Sequence, residues 1–175
     1  SRVKQEMWRL ISNGLLFNIS WFLIVSQHDN LWALATLVVH LALHQIICSA
    51  SRREFLMIAG IFAAGTFLDQ LAFYLQLFVV DDAAALAPFW FSCLWCIFAT
   101  TLCHAFQSLQ SKLWIASGAG LIGALLSYSA GTALSPIGFS DSILGPVIVA
   151  LCWAGIFPIL LYIARRTGRQ TVGKS

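Results

Sequence analysis

"AAGTFLDQLAFY", residues 63–74, is a run of apolar and small residues with an aspartate near its middle. It lies inside a longer stretch, about residues 55–80, whose only charged residue is Asp69. A membrane-spanning helix needs about 20 apolar residues in succession. This stretch is long enough. Read as a span, it places the chain in a bilayer and leaves one carboxylate there to be explained.

Composition extends that reading outward. The 175-residue chain is 59% hydrophobic and only 10% charged, where a soluble domain carries about 25% charged residues. Mean hydropathy is +0.84. A soluble core of this size would leave large apolar patches uncovered. Apolar runs recur at about 10–26, 31–50, 55–80, 89–110, 113–134 and 143–164, separated by short polar breaks such as "QHDN", "SRRE" and "QSK". In lipid the backbone must satisfy its own hydrogen bonds, so each run is predicted to be a helix. The expected fold is all-α: a polytopic bundle of six transmembrane helices forming one integral membrane domain over residues 1–175.

Charge sets the expected orientation. With six spans, every Lys and Arg falls on one side, including Arg2, Lys4, Arg9, Arg52, Arg53, Lys112, Arg165, Arg166, Arg169 and Lys174. The opposite loops hold Asp29, Asp81, Asp82 and Asp141. Basic residues mark cytoplasmic loops, which predicts both termini in the cytoplasm. The net charge of +3 follows from this arrangement. No dense basic run or aromatic-basic interleaving points to nucleic acid. The first run is too long for a signal-peptide core and is expected to stay as the first helix. "SRVKQEMW" reads as a short interfacial helix and the last eleven residues as a loose basic tail. Trp8, Trp32, Trp90 and Trp114 lie at run edges, where amphipathic rings favour the interface. Trp21, Trp95 and Trp153 lie deeper and are expected between helices.

The fifth run carries two small-residue stripes, Ala116/Gly120/Ala124 and Gly123/Ser127/Gly131. Such spacing lets helices approach closely, and packing is the simpler reading of both. Pro158, inside the sixth run, withholds a hydrogen bond from Ala154. Pro88 suits the start of the fourth helix.

Polar residues within the spans define a candidate interior site. An aspartate at the centre of a membrane helix costs about 2.5–3.5 kcal/mol on insertion scales, so Asp69 should face the protein interior. Thr66 and Gln76 share its helix face by spacing. The second helix presents Thr36, His40, His44 and Cys48 at four-residue steps, and the fourth presents Cys93, Cys96, Thr100, His104 and Gln107. The first offers Asn13 and Ser20. Counting rise per residue from the basic side, Asp69 lies roughly 21 Å deep, His40 roughly 15 Å, and His44 and His104 each roughly 9 Å. Asp69–His40 and His44–His104 are the expected pairs.

Three readings of these groups stay open. They form a hydrogen-bonded polar core, they hold a ligand or proton, or they do chemistry. His40, His44 and His104 are the candidate ligands of a metal or haem. "CLWC", with Cys93 and Cys96, is the candidate for thiol redox. No motif indicates a cofactor, and no Walker loop, GxSxG elbow or paired-carboxylate site is present. No catalytic residue is assigned.

"NGLLFNISWF" (13–22), "GTFLDQL" (65–71), "APFWFSCLWCIFATTLCHAFQSL" (87–109) and "GALLSYSAGTAL" (123–134) occur in an order that resembles a small bacterial inner-membrane family, catalogued as domain of unknown function 2878. The resemblance covers nearly the whole chain. It implies a multi-pass inner-membrane protein with Asn13, Trp21, Asp69, Trp95 and Tyr128 at family-like positions. It also implies a loose link to membrane-lipid modification and stress. The chain departs from that pattern at Cys103, where the family has Asn, and at Ser127, where it has Pro. Neither position is therefore given a role.

The expected protein binds or moves a small ligand or proton through an intramembrane polar site, or assists a membrane-lipid pathway. The candidate residues are Asp69, His40, His44, His104, Asn13, Thr66, Gln76 and Thr100. The rivals are an intramembrane enzyme, lipid-modifying or thiol-redox, and a metal- or haem-binding membrane protein. The expected partners are the lipid bilayer and a lipid or small molecule. Oligomeric state is not legible.

Overall fold

The computed structural model describes residues 1–172, so Lys174 lies outside the described residues. Six α-helices run in chain order: α1 (Arg2–Gln27), α2 (Asn30–Cys48), α3 (Arg52–Tyr74), α4 (Phe89–Ala99), α5 (Leu113–Leu134) and α6 (Leu144–Val172). Five are long and apolar enough to cross a membrane, and α4 is the short one. The outer faces of the long helices expose Leu15, Ile19, Val38, Phe67, Leu126, Leu151 and Ile159. An apolar exterior on this scale suits lipid and not water.

Several boundaries differ from expectation. The first helix begins at Arg2, so the predicted interfacial segment is continuous with α1. The predicted tail from residue 165 is helical as far as Val172. The third helix stops before residue 80. The N–H of Leu77 bonds to the Ala72 carbonyl and that of Gln76 to Phe73, both at 2.9 Å. Gln76 sits in the left-handed region at φ 56°. This is a Schellman-type helix end. Beyond it, β1 (Phe78–Val80) pairs antiparallel with β2 (Ile137–Phe139), in the register Phe78↔Phe139, Val79↔Gly138 and Val80↔Ile137. The pairing ties the α3–α4 and α5–α6 connections together at one end of the bundle. The Trp90 N–H donates to Asn30 Oδ1 at 3.0 Å, which brings the α1–α2 turn to the same end. That end carries Asp29, Asp81, Asp82 and Asp141, and is called the acidic end below.

The fourth run departs most from its prediction. A continuous helix over 89–110 does not form. Instead α4 stops at Ala99, and turns lead into a short 3-10 helix at Gln107–Ser111. Thr100 and Thr101 turn their hydroxyls onto the carbonyls of Ile97 and Phe98. Such back-bonding competes with the helical ladder. Irregular backbone at membrane depth must be covered and hydrogen-bonded by protein. Thr100, Thr101 and Leu102 are fully buried. The α4 helix packs against α1, α2 and α3, and most of its surface is buried. A helix that is apolar all round belongs inside a bundle.

The α5–α6 pair supplies the other wall. Adding a Cβ to Gly120 would bring it to 2.4 Å from the Trp153 carbonyl oxygen, so this glycine allows close approach. Pro158 leaves the Ala154 carbonyl without its helical donor, and Ser117 Oγ supplies one at 2.7 Å.

Candidate functional site

Two polar centres lie on the inner face of α3. Its buried positions Glu54, Ile58, Ile61, Gly65 and Asp69 follow one another at steps of three and four. Such steps trace one side of a helix, so the two acids share a face.

The first centre surrounds Glu54. Ser51 caps α3 by accepting from the Glu54 N–H at 3.2 Å. The Glu54 side chain turns into the bundle and does not cap the helix in return. Its Oε1 lies 2.9 Å from His44 Nε2 and 2.8 Å from His104 Nε2. The two imidazoles meet edge to face, with centroids 5.2 Å apart. His44 comes from α2 and His104 from the irregular segment after α4. Cys48, one turn along α2 from His44, completes the group. One ligand-type atom from each of His44, Cys48 and His104 falls within 4.8 Å of the others.

Asn13 holds this centre to the break in the fourth segment. Its Nδ2 donates to the Thr100 carbonyl at 3.1 Å, and its Oδ1 accepts from the Ala105 N–H at 3.1 Å. One side-chain amide thus bridges two backbone groups that a continuous helix would have satisfied itself. The same Nδ2 lies 3.4 Å from His44 Nδ1. Since the amide is oriented by its backbone partners, it presents N–H to that nitrogen. Neutral His44 then carries its proton on Nε2, toward Glu54.

The second centre is Asp69. Its Oδ2 accepts from Ser92 Oγ at 3.0 Å. The residue lines a cavity of about 290 Å³ between α1, α3, α4, α5 and α6, with Trp21, Trp95, Phe98, Tyr128 and Trp153 among the walls. Trp95 and Trp153 stack at 5.1 Å. The Trp153 indole N–H donates to the Tyr128 hydroxyl at 3.3 Å. Asp69 is the only charged group among the described lining residues. Gly123 and Gly131 also line it, and a Cβ at either meets nothing within 4 Å. The two small stripes of α5 therefore differ: Gly120 is packed against α6, whereas Gly123 and Gly131 leave open space. Gly123 and Ser127 are exposed as well as cavity-lining, so the cavity opens sideways along α5.

The remaining predicted residues fall as follows. His40 does not meet Asp69. It is bonded to Ser20 Oγ at 2.7 Å and to Thr100 Oγ1 at 2.9 Å. With both ring nitrogens engaged, it stands apart from the metal-type group that contains His44 and His104. Thr66 donates to the Phe62 carbonyl within its own helix. Gln76 lies beyond α3 and is exposed, so it is not on the Asp69 face. Cys93 and Cys96 are free, buried thiols on α4 and do not line the Asp69 cavity. Glu54 is the residue that sequence reasoning missed, because "SRRE" reads as a polar break. Its spacing from Asp69 along α3 was the available signal.

These features define a helical bundle that fits a multi-pass membrane protein with two buried polar centres. The chain belongs to the family described as Protein of unknown function (DUF2878), whose model matches residues 10–159. No curated protein and no solved structure gives a significant match.

Proposed function

We propose that this is a multi-pass protein of a bacterial inner membrane that binds one small hydrophobic molecule in the Asp69 cavity. The molecule carries a cationic or hydrogen-bond-donating group that meets the carboxylate. One observation carries the reading: a single acid lines a cavity otherwise walled mostly by aromatic and small residues. A carboxylate has about four acceptor positions, and Ser92 and the Trp95 indole take two of them. The volume stands at the lower end of the ~300–1,000 Å³ usual for small-molecule sites. That favours a single-ring molecule or one chain segment over a whole phospholipid. Aromatic faces attract cations, most strongly when water is excluded. Binding is favoured over catalysis because the lining supplies one carboxylate and no His, Cys or Lys beside it. The clustering of Lys and Arg supports the inner-membrane orientation with both chain ends in the cytoplasm.

The test uses purified protein in nanodiscs and its intrinsic tryptophan fluorescence. Benzyltrimethylammonium should quench it saturably. Neopentylbenzene, the uncharged isostere, should bind at least about tenfold more weakly, equivalent to 1.4 kcal/mol or more. Asp69→Asn should lower affinity for the cation by a similar factor. Gly123→Leu, which fills open space, should remove binding of both. Equal affinity of folded Asp69→Asn and wild type for the cation, or no saturable binding of either probe, would refute the assignment.

A further inference from the structure

The Glu54 centre lies apart from the proposed ligand cavity, and none of its residues lines it. We infer that His44, Cys48, Glu54 and His104 form a binding site for a single divalent ion of the zinc class. The donor set is two imidazoles, one thiol and one carboxylate, all types that zinc takes in four-coordinate sites. The mixture of nitrogen, sulfur and oxygen also excludes magnesium and calcium, which need oxygen cages.

Geometry supports the assignment independently of donor type. His44 and Cys48 stand four residues apart on α2, which places both on one helix face. Glu54 enters from α3 and His104 from the break after α4, so three separate segments converge. Glu54 Oε1 already contacts both Nε2 atoms, at 2.9 and 2.8 Å. Ligands bound at about 2.0–2.2 Å in a tetrahedron stand about 3.4 Å apart, so the two Glu54–imidazole contacts must open by about 0.5 Å, while Cys48, within 4.8 Å of the imidazoles, closes on the ion. His44, Cys48 and Glu54 are each less than a tenth exposed. A largely buried set of four protein donors is the form of a structural ion site.

The chemistry of the cluster states what must move. Bound to an ion through Nε2, neutral His44 keeps its remaining proton on Nδ1. That proton then faces the Asn13 amide N–H, now 3.4 Å away. This is the contact that ligation gives up. The ion replaces the protons now shared between the imidazoles and Glu54, and it takes Cys48 as thiolate. Its binding is therefore coupled to proton release. The ion would link α2, α3 and the interrupted fourth segment.

Nanodisc-embedded protein, stripped with a chelator, is titrated with Co(II), whose absorption reports coordination. Wild type should take up one equivalent and show a thiolate-to-cobalt charge-transfer band that added Zn(II) abolishes. Cys48→Ser should lose that band. Glu54→Gln and His104→Ala should each lower cobalt affinity at least about tenfold. Asp69→Asn should leave the band unchanged, which separates this site from the ligand cavity. Circular dichroism shows that each variant retains its helices. Wild type that takes up no stoichiometric cobalt overturns the assignment. So does a cobalt spectrum that Cys48→Ser leaves intact in a folded protein.

Discussion

Glu54 and Asp69 occupy the same face of α3, fifteen residues apart, and have opposite surroundings. At 1.5 Å rise per residue they stand about 22 Å apart along the helix. Glu54 is met by two imidazoles from two other segments. Asp69 is met by a serine hydroxyl, the Trp95 indole and a cavity. The acids are alike in burial and helix face, so neighbours set the difference. At the Glu54 end α2 and the broken fourth segment bring histidines inward. At the Asp69 end α5 brings glycines. A buried acid rich in partners reads as structure or an ion site, and one poor in partners reads as a ligand site.

Removing Glu54 should break the comparison most severely. Glu54→Ala leaves the buried His44 and part-buried His104 imidazoles without their shared acceptor. Loss of one partner from a buried pair costs about 3–5 kcal/mol. The expected result is a large drop in unfolding free energy in bicelles. Glu54→Gln keeps an acceptor oxygen and should recover much of it. Equal stability of Glu54→Ala and wild type would mean that the Glu54 cluster contributes nothing to stability.

A middle-sized effect is expected at Asn13. Its amide serves the Thr100 carbonyl and the Ala105 N–H. Asn13→Ala leaves the buried Thr100 carbonyl unpaired, at about 1–3 kcal/mol, and the part-buried Ala105 N–H with it. Hydrogen exchange at residues 100–106 should rise more than exchange in α5. Uniform change across the bundle would mean that Asn13 does not hold the break.

What could be read beforehand follows the same physics. Five long helices were legible because the apolar runs and the basic-acidic alternation are properties of the chain alone. The His44–His104 approach was legible from depth, since both count to the same level. The Asp69–His40 pair failed because depth does not include rotation. His40 faces Ser20 and Thr100, which lie on α1 and just after α4. Glu54 was lost because a charge beside Arg52 and Arg53 looks like a loop. The break after Ala99 was lost because "ATTLCHAFQSL" is apolar enough to continue a span. Asn13, far away in sequence, bonds to both sides of the interruption. The β1–β2 pairing joins residues 61 positions apart at Phe78 and Phe139, and no local pattern encodes it.

The smallest stability effect is expected at Asp69, and it sharpens the comparison most. Asp69→Asn keeps the shape, and the amide oxygen can still accept from Ser92. Interhelical hydrogen bonds in membranes contribute about 0.6 kcal/mol on average. The substitution should therefore change unfolding free energy by less than about 1 kcal/mol. Binding of a cationic probe should fall far more than stability does. A residue that matters to binding and hardly to folding is placed for a ligand. If Asp69→Asn instead destabilises the protein as much as Glu54→Ala, Asp69 belongs to the packed polar core, and the difference between the two ends of α3 is one of degree.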